Sequence, residues 1–523
     1  MDLPPPTTFS LPAKFNRWRP NQAEATESQT EVKPRFLLQV CPTGFGKSIV
    51  YLTASQLIPG RTVILTSTKG LQSQLISDFG SVDGVVDIRG RQNYPCRLNT
   101  KLNCDFGLCV FGMKCSFKEE GGCFYFDQLN RAKHAKVVIT NYAYWMSQNE
   151  YSDGLGKFNL LVLDEAHSSP DHVIDHISVY FGKKEVINKM LGLNDSLPND
   201  YNTWHHWASN MLIEAKAAAE SAKLGRKEKL YSKLKRLVNK LDRLTSIDQS
   251  WVWEDNPYSV TLSPTWPAPF VETILFLGIP KVVLTSATVV PKTASLLGIS
   301  PNEIKMEEYP HSFPLKNRPL THLPTVRMNY RNGELEHKLW TNKVDQIIRD
   351  RIGTKGIIHT VSYARRNMVL ERSRYSEHML THERRNTESV VRTFKQSDAP
   401  CILVSPSMAT GWDFPDMECR WQIIVKLPYP DLRGAIMKAR SRKDKEYVNY
   451  LVTQQLVQTT GRGTRNVNDW CETFIIDNCI TYFIKQNEHL MVDWFKGSYR
   501  QKITIPLPLK EETIKGELLC QNK

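Results

Sequence analysis

The chain has 523 residues, too many for a single hydrophobic core, and the usual scale of roughly 100 to 200 residues per domain predicts three or four units. Hydrophobic residues make up 41% and charged residues 23%, which excludes a largely disordered chain, and no apolar run reaches the roughly 18 residues needed to cross a bilayer. Lysine and arginine outnumber aspartate and glutamate by 68 to 54, giving a net charge of +14. We therefore expect a cytoplasmic protein whose partner is a polyanion.

A glycine-rich loop follows the first predicted strand. An apolar run at 35–40 predicts a buried strand and 49–57 predicts a helix, so the loop leads into a helix N-terminus. Backbone N–H groups in such a loop can cradle phosphates, while a lysine reaches the β and γ oxygens and a hydroxyl meets Mg²⁺. Cys41 replaces the first glycine of the strict pattern, and a merely flexible turn is the alternative. The predicted nucleotide contacts are Thr43, Gly44, Phe45, Gly46, Lys47 and Ser48.

The next predicted strand is at 63–66, and five of the eleven cysteines fall in one segment after it. They are Cys96, Cys104, Cys109, Cys115 and Cys123. The odd total in a chain expected inside the cell argues against a disulfide framework, so the clustering predicts a metal site. Structural zinc sites generally use tighter cysteine pairs than these. Spacing alone leaves open zinc, an iron-sulfur cluster and bystander thiols.

Two acidic residues stand at the end of another predicted strand. Apolar runs at 137–140 and 158–163 predict strands buried in a parallel sheet, and Asp164 and Glu165 directly follow the second run. A carboxylate in this position can hold Mg²⁺ through water, and its neighbour can orient or deprotonate an attacking water. A pair of solvated acids that opens a helix is the alternative. Together with Lys47, the pair predicts hydrolysis of a nucleoside triphosphate.

The stretch 168–251 is predicted to be a helical insertion ahead of a further strand at 282–285. Leucines repeating at intervals of four and three predict one long helix packed on another, in a hairpin within the chain, with a dimerising coiled coil as the alternative. They are Leu230, Leu234, Leu237, Leu241 and Leu244. Basic residues of the same helix can hold phosphates or form a solvated face, as can those at 438–445. They are Lys229, Lys233, Lys235, Arg236, Lys240 and Arg243.

A proline-rich passage at 310–324 precedes a second α/β half, with strands predicted at 356–360, 401–405 and 422–425. Near its end, Arg462 and Arg465 lie three residues apart, so both guanidiniums can point from one helical face at phosphates held by the other half. Hydrolysis would then require the two halves to close on each other. A structural salt bridge is the alternative for either arginine.

These motifs resemble, in type and in order, those of superfamily 2 helicases of the DinG/XPD branch. The resemblance also covers Gly90 to Cys96, Cys123 to Tyr125 and Thr140 to Tyr142, which flank the cysteine segment. Further matching motifs are Arg19-Pro20-Asn21-Gln22, Asp164-Glu165-Ala166-His167, Ser286-Ala287-Thr288, Gly411-Trp412-Asp413 and the run from Gln458 to Arg465.

The resemblance implies a role for each motif. Arg19 and Gln22 would read adenine. His167, Ser286 and Thr288 would link hydrolysis to movement. Gly411 and Asp413 would couple the second domain to the nucleotide, and Gln458 would accompany the arginine fingers. Thr66, Lys69 and Tyr142 would contact the nucleic acid.

The resemblance also implies an α/β fold with two RecA-like P-loop motor domains, the first carrying an iron-sulfur insertion and a short helical arch. We expect motor domain 1 at 1–89, 128–167 and 252–300, the cluster insertion at 90–127, the arch at 168–251, motor domain 2 at 301–505 and a tail at 506–523. The implied cluster is [4Fe-4S], with ligands Cys96, Cys109, Cys115 and Cys123 and with Cys104 as the spare.

The expected function is an ATP- and Mg²⁺-dependent DNA helicase that moves 5′ to 3′ on single-stranded DNA and acts at DNA junctions, the polarity being implied by the resemblance alone. We expect a monomer in the cytoplasm of a bacterial or phage-infected cell. One rival is a translocase that strips proteins from single strands without unwinding. Another is a nucleic-acid clamp that ATP switches with little turnover. Glu165, Arg462 and Arg465 argue against the clamp because it needs no catalytic machinery.

Overall fold

The computed structural model describes residues 3–183, 198, 200–406, 412, 414–464 and 468–510. Its strands, in chain order, are β1 (Phe36–Val40), β2 (Thr62–Thr66), β3 (Val85–Asp87), β4 (Val137–Asn141), β5 (Leu160–Asp164), β6 (Val179–Gly182), β7 (Trp251–Asn256), β8 (Ser259–Pro264), β9 (Lys281–Ser286), β10 (Ile304–Glu308), β11 (Leu320–Val326), β12 (Gly356–His359), β13 (Met379–Thr381), β14 (Ile402–Ser405), β15 (Trp421–Ile424), β16 (Glu472–Asp477) and β17 (Tyr499–Gln501).

Its α-helices are α1 (Gln22–Thr30), α2 (Lys47–Leu57), α3 (Lys69–Phe79), α4 (Ser116–Glu119), α5 (Phe124–His134), α6 (Tyr142–Tyr151), α7 (Ser169–Ile177), α8 (Tyr201–Leu224), α9 (Glu228–Leu244), α10 (Ala268–Val271), α11 (Pro291–Leu296), α12 (Glu334–Arg349), α13 (Tyr363–Arg372), α14 (Thr387–Gln396), α15 (Ala435–Lys443), α16 (Tyr447–Thr460), α17 (Cys479–Gln486) and α18 (Asp493–Ser498). Among the described residues, no helix is both long enough and apolar enough to span a membrane.

A seven-stranded parallel sheet, in the order β10-β1-β9-β5-β2-β4-β3, forms the first α/β unit. Every residue of β1, β2, β5 and β9 is buried, as their continuous apolar runs predict for strands covered on both faces. Because parallel strands end at the same edge, the loop after β1 and the acids after β5 lie at one edge of the sheet. Strand β9 lies between them, so Ser286 at its end separates the loop from the acids.

The first sheet extends past the boundary predicted at residue 300, which is therefore wrong. Strand β10 pairs with β1, from Phe36 opposite Ile304 to Val40 opposite Glu308. The strand lies at the sheet edge and is only partly buried, so its polar sequence lacks the apolar run that marks the central strands.

The insertion in the first unit combines a small sheet with a helical hairpin. Strands β6, β8 and β7 form an antiparallel sheet, so residues 251–264 belong to the insertion rather than to the motor segment predicted to begin at 252. Helix α9 packs on α8 within the chain, as the leucine repeat predicts. Leu234, Leu237, Leu241 and Leu244 are buried, whereas Leu230 at the start of α9 is 39% exposed.

A second seven-stranded parallel sheet, in the order β13-β14-β12-β15-β16-β11-β17, forms the second α/β unit. The two units pack against each other through α11 and α16, where the Thr293 and Tyr450 hydroxyls lie 3.0 Å apart. Lys292 adds an ion pair of 2.7 Å to Asp444 across the same seam. The end of α16, which leads into Arg462, lies at the carboxyl edge of the first sheet, since a Cβ placed on Gly461 would lie 3.1 Å from Thr43 Oγ1.

Candidate functional site

The phosphate loop occupies the turn between β1 and α2. Gly44 and Gly46 have φ of 80° and 84°, a left-handed conformation that side chains disfavour, so glycine is required for the backbone to curl here. Lys47 and Ser48 are the first two residues of α2. The exposed N–H groups of a helix N-terminus attract anions, and the loop can therefore hold the phosphates of a nucleotide.

The N-terminal segment clamps this loop. Arg19 Nη1 donates to the Gly44 carbonyl at 2.8 Å, and Gln22 Nε2 donates to the Phe45 carbonyl at 2.6 Å. Gln22 is fully buried, and its Oε1 accepts from the Arg19 backbone N–H at 2.8 Å. Both ends of the Gln22 amide are thus engaged with the backbone, so in this conformation Gln22 holds the phosphate loop and offers no free amide to adenine.

The two acids stand beside Lys47. Glu165 has φ of 52°, an uncommon backbone conformation for a residue other than glycine, and its Oε1 lies 2.7 Å from Lys47 Nζ. Burial opposes the charge on Lys47, but the Glu165 and Asp164 carboxylates raise its pKa overall. Burial and the Glu165 charge raise the pKa of Asp164 to about 6, with Lys47 acting against them. Ser48 and Asp164 form a hydroxyl and carboxylate donor set that suits Mg²⁺.

A hydrogen-bonded chain connects Glu165 to the end of β9. His167 Nδ1 lies 2.7 Å from Ser286 Oγ, and that hydroxyl lies 3.3 Å from Glu165 Oε2. The Thr288 backbone N–H donates to Ser286 Oγ at 3.2 Å. Burial lowers the pKa of His167 to about 4, so the imidazole is neutral near pH 7. The predicted coupling residues His167 and Ser286 therefore contact the acid that could orient water, and Thr288 connects to it through Ser286.

Arg462 of the second unit lies at the interface between the two units. Its Nη1 donates to the Trp412 carbonyl at 2.7 Å, while the buried Nε finds no hydrogen-bond partner among the described residues. Burial lowers the pKa of Arg462 to about 10, and the Glu165 charge opposes that shift. Among the described residues, no carboxylate forms a salt bridge with it.

The other predicted residues of the second unit are only partly described. Gln458 is half-buried on α16, one turn before Arg462. Gly411, Asp413 and Arg465 lie outside the described residues.

The predicted cysteines lie close together beside the first unit. Cys96, Cys104, Cys115 and Cys123 are buried and Cys109 is half-buried. Burial, followed by the neighbouring Cys123 and Cys96 thiols, raises the pKa of Cys104 to about 12. Burial and the adjacent Cys115 also raise the pKa of Cys109.

The arrangement of these thiols does not itself form a metal site. In the described part of the chain, no three or more His, Cys, Asp or Glu side chains are grouped so that they could hold a metal ion. The chemistry of the donors nevertheless fits an iron-sulfur cluster, which takes four thiolates. A Cβ placed on Gly107 would lie 3.4 Å from Cys96 Sγ and 3.7 Å from Cys109 Sγ, so two of the thiols flank one glycine.

Two of the three predicted nucleic-acid contacts have buried side chains. Thr66 is fully buried, and its hydroxyl donates to the carbonyls of Thr68 and Thr140. Tyr142 is 1% exposed and donates to the Asp164 carbonyl at 3.2 Å. Both hydroxyls satisfy buried backbone carbonyls, so their contact with nucleic acid stays a prediction. Lys69 is exposed, with Nζ 3.0 Å from Asn93 Oδ1, and remains available to a phosphate.

Tyr51 belongs to the site but was not predicted. The side chain is 1% exposed, and its hydroxyl lies beside the Ser48 hydroxyl and the Asp164 carboxylate. Burial, with the Asp164 charge, raises its pKa well above the ordinary value. The helical spacing could have revealed it, because residues three and four apart share a face and Tyr51 follows Lys47 and Ser48 by four and three positions.

This geometry defines a class of protein, a two-domain ATPase in which a phosphate loop on one RecA-like domain faces an arginine from a second. A family model described as Helicase C-terminal domain matches residues 348–498, and one described as Type III restriction enzyme, res subunit, matches residues 16–193. Curated protein sequences give no match.

Solved structures of XPD share the fold. The structure titled XPD_Helicase is 14% identical with a TM-score of 0.65, covering 93% of this chain and 100% of its own. Xpd4 from S. tokodaii is also 14% identical, with a TM-score of 0.61, covering 92% of this chain and 100% of its own. The two family matches place helicase-family domains in both units, and together with the shared fold they support an XPD/DinG-like superfamily 2 helicase. The predicted resemblance and the two RecA-like domains are thereby confirmed, and the family implies ATP and Mg²⁺.

Proposed function

We propose that this protein is an ATP-dependent DNA helicase that moves 5′ to 3′ along single-stranded DNA and separates duplex at junctions. The observation that carries the proposal is the interface in which Lys47 and Glu165 of the first unit lie close to the buried Arg462 of the second, near enough for the Glu165 charge to act on its guanidinium. DNA as the track and the 5′-to-3′ polarity rest on the resemblance to DinG/XPD helicases.

The residues at the seam divide the work of hydrolysis. The phosphate loop and Lys47 would bind the β- and γ-phosphates, and Glu165 would orient the attacking water. When bound through Ser48 and Asp164, Mg²⁺ would neutralise phosphate charge. Arg462 would stabilise charge on the transferring phosphate, and fingers of this kind contribute about 10³ to 10⁵ in rate. Because Arg462 comes from the second unit, hydrolysis would be tied to closure of the two units.

Closure of the two units must do mechanical work on the bound DNA. Opening one base-pair step costs about 1.4 kcal/mol on average, more than twice thermal energy, so repeated opening requires coupling to ATP. The chain of hydrogen bonds from Glu165 through Ser286 to Thr288 supports such coupling, because it connects the water-orienting acid to the loop that faces the second unit.

An exposed lysine near the helical hairpin supports binding to single strands. Lys69 is exposed beside Asn93 at the start of the cysteine segment. The helical hairpin packs on that segment through an ion pair from Arg236 to Asp105 and ring contact between Tyr231 and Phe111, whose centroids lie 4.9 Å apart. Charges of this kind neutralise phosphates without reading sequence.

We further propose that four of the five clustered cysteines hold a [4Fe-4S] cluster. Cys96 and Cys123 are assigned by the flanking family motifs, and Cys109 and Cys115 are chosen from the middle three, with Cys104 as the alternate. The all-thiol donor set and the burial of the cysteines support this assignment. When bound, the cluster would cross-link the loops of residues 96–123 and stabilise their fold. The cysteine residues themselves would have to move closer together to ligate it.

Unwinding of matched duplexes that carry either a 5′ or a 3′ single-stranded DNA tail tests the proposal. We expect ATP-dependent separation of the 5′-tailed duplex only, and none by Lys47→Ala. Separation of the 3′-tailed duplex alone would contradict the polarity. Removal of a protein bound to a single strand, without duplex separation, would favour a translocase. Tight strand binding with little ATP turnover would favour an ATP-switched clamp.

A further inference from the structure

Trp494 occupies the point where three functional segments meet. It lies on α18 in the second unit and is 8% exposed. Its neighbours are the loop after β9 in the first unit, the turn at Gly461 within the arginine-finger motif, and the linker between the two units. No sequence motif pointed to this residue.

The first contact is a hydrogen bond across the seam. The indole Nε1–H donates to the Ala287 carbonyl at 2.9 Å. Ala287 stands between Ser286 and Thr288, whose side chain and backbone belong to the chain of hydrogen bonds that reaches Glu165. Movement of Trp494 with the second unit would therefore pull directly on the loop that contacts the water-orienting acid.

The second contact is with the glycine that precedes Arg462. A Cβ placed on Gly461 would lie 3.8 Å from the Trp494 ring and 3.1 Å from Oγ1 of Thr43 in the phosphate loop. The Gly461 backbone is thus held between the indole and the phosphate loop. Because Arg462 is the next residue, the contact of Gly461 with Trp494 fixes the position of the Arg462 backbone.

The linker holds the indole from the other side. The Arg318 guanidinium lies 5.6 Å from the ring centroid, and its Nη1 donates to the Trp494 carbonyl at 3.3 Å. The His311 ring meets the indole edge-on at 5.5 Å. Burial and the Arg318 charge lower the pKa of His311 to about 3, so it is neutral and adds no repulsion to the buried guanidinium.

We propose that Trp494 is a positioning residue that couples nucleotide hydrolysis to movement by holding the Ala287 loop and Gly461 in one arrangement when the units close. This role rests on the proposed helicase function and adds a residue to it. Trp494 touches neither substrate nor reacting atoms, so it acts through Arg462 and through Ser286. A residue that merely fills the seam would affect folding stability without selectively affecting turnover.

The test compares Trp494→Phe with Trp340→Phe. The first change removes the Nε1–H donor and keeps an aromatic ring, while Trp340 is fully buried in the second unit, away from the seam, and donates to His337 at 3.3 Å. Losing one net hydrogen bond and its alignment is worth about tenfold in rate. We expect turnover stimulated by single-stranded DNA to fall about tenfold in Trp494→Phe only. The affinities for ATP and for the strand should stay within about twofold.

Two further measurements separate coupling from packing. In an Arg462→Ala background, Trp494→Phe should reduce ATP turnover little further, because the two residues act on the same step. Hydrogen exchange of residues 286–290 should quicken in Trp494→Phe and not in Trp340→Phe. Thermal unfolding of both variants verifies that each is folded.

The outcomes distinguish the inference from the function on which it rests. Stimulated turnover in the wild type together with unchanged turnover and unchanged exchange in Trp494→Phe would overturn the role of Trp494 alone. An equal loss in Trp340→Phe would also overturn it, since packing would then explain the effect. If ATP turnover by the wild type is the same with and without nucleic acid, the proposed function is overturned, and the coupling role of Trp494 with it.

Discussion

Replacing Arg462 with methionine should stabilise the fold while removing most ATP hydrolysis. Burial lowers the pKa of this guanidinium from 12.5 to about 10, and each pKa unit corresponds to about 1.36 kcal/mol. The charged form therefore costs the folded state about 3 kcal/mol. Losing the hydrogen bond to the Trp412 carbonyl removes about 1 to 2 kcal/mol of that gain, so the free energy of unfolding should rise by about 1 to 2 kcal/mol.

The same substitution should abolish catalysis, because the finger acts on the transition state. We expect single-turnover hydrolysis to fall by about 10³ to 10⁵ while the affinity for ATP changes little. Urea unfolding measures the stability, and rapid mixing with labelled ATP measures the chemical step. A variant that hydrolyses ATP at the wild-type rate, or that loses more than about 1 kcal/mol of stability, would refute this reasoning.

Arg351→Met is the matched control, because this guanidinium is also buried and forms a two-point ion pair with a buried carboxylate. Arg351 Nε and Nη2 donate to the two Glu472 oxygens at 2.7 and 2.8 Å. Its removal leaves a buried carboxylate uncompensated and should cost about 3 to 5 kcal/mol. The two methionine variants should thus shift stability in opposite directions, and the control should keep wild-type turnover per folded molecule.

Four further results are expected. Lys47→Ala should lose ATP turnover and unwinding together but keep single-strand affinity, and unchanged turnover would contradict the site. Anaerobically purified protein should be brown with about four irons and four sulfides per chain, whereas Cys123→Ser should be colourless, retain ATP binding and not unwind; stoichiometric zinc in the wild type would contradict the cluster. Single-strand affinity should fall steeply with salt in a titration, because several phosphates are neutralised, and a flat response would contradict that grip. Burial lowers the pKa of His311 to about 3 and that of His359 to about 4, so both are neutral in the fold above about pH 6.5. Below that pH the unfolded chain binds two more protons than the folded one, and the contribution of these two histidines to the free energy of unfolding should fall by about 3 kcal/mol per pH unit toward pH 4. Urea unfolding at each pH measures this change.

The nucleotide site was predictable because each of its parts is encoded locally. An apolar run that ends in a glycine loop, or in two acids, specifies both a buried strand and the residues at its carboxyl end, and β1 and β5 end where those patterns predict. The hairpin of α8 and α9 was also predictable, since the leucine interval fixes the buried face.

The missed strands lack that local signal. Strand β10 carries Lys305, Glu307 and Glu308, because an edge strand packs on fewer sides and tolerates charge. Its pairing with β1 joins segments more than 260 residues apart, and Glu307 is held there by hydrogen bonds from Ser28 and Gln39. The domain boundary at 300 was wrong for this reason.

The direction of a side chain is also not encoded locally. Thr66 and Tyr142 stand in motifs next to the expected track, but their hydroxyls turn inward to backbone carbonyls. A sequence motif specifies which residue follows a strand, whereas packing across the sheet determines the direction of its side chain. Trp494 shows the reverse case, since a residue 207 positions from Ala287 joins the site without any local pattern.

The most direct test of the central claim, that the two units hydrolyse ATP between them to drive movement on nucleic acid, is steady-state ATP turnover with and without saturating single-stranded DNA. We expect the wild type to be stimulated at least about tenfold, because strand binding favours closure and closure delivers Arg462 to the phosphates. Lys47→Ala should show no turnover in either condition. Turnover that is absent, or that is the same with and without DNA, would contradict the claim.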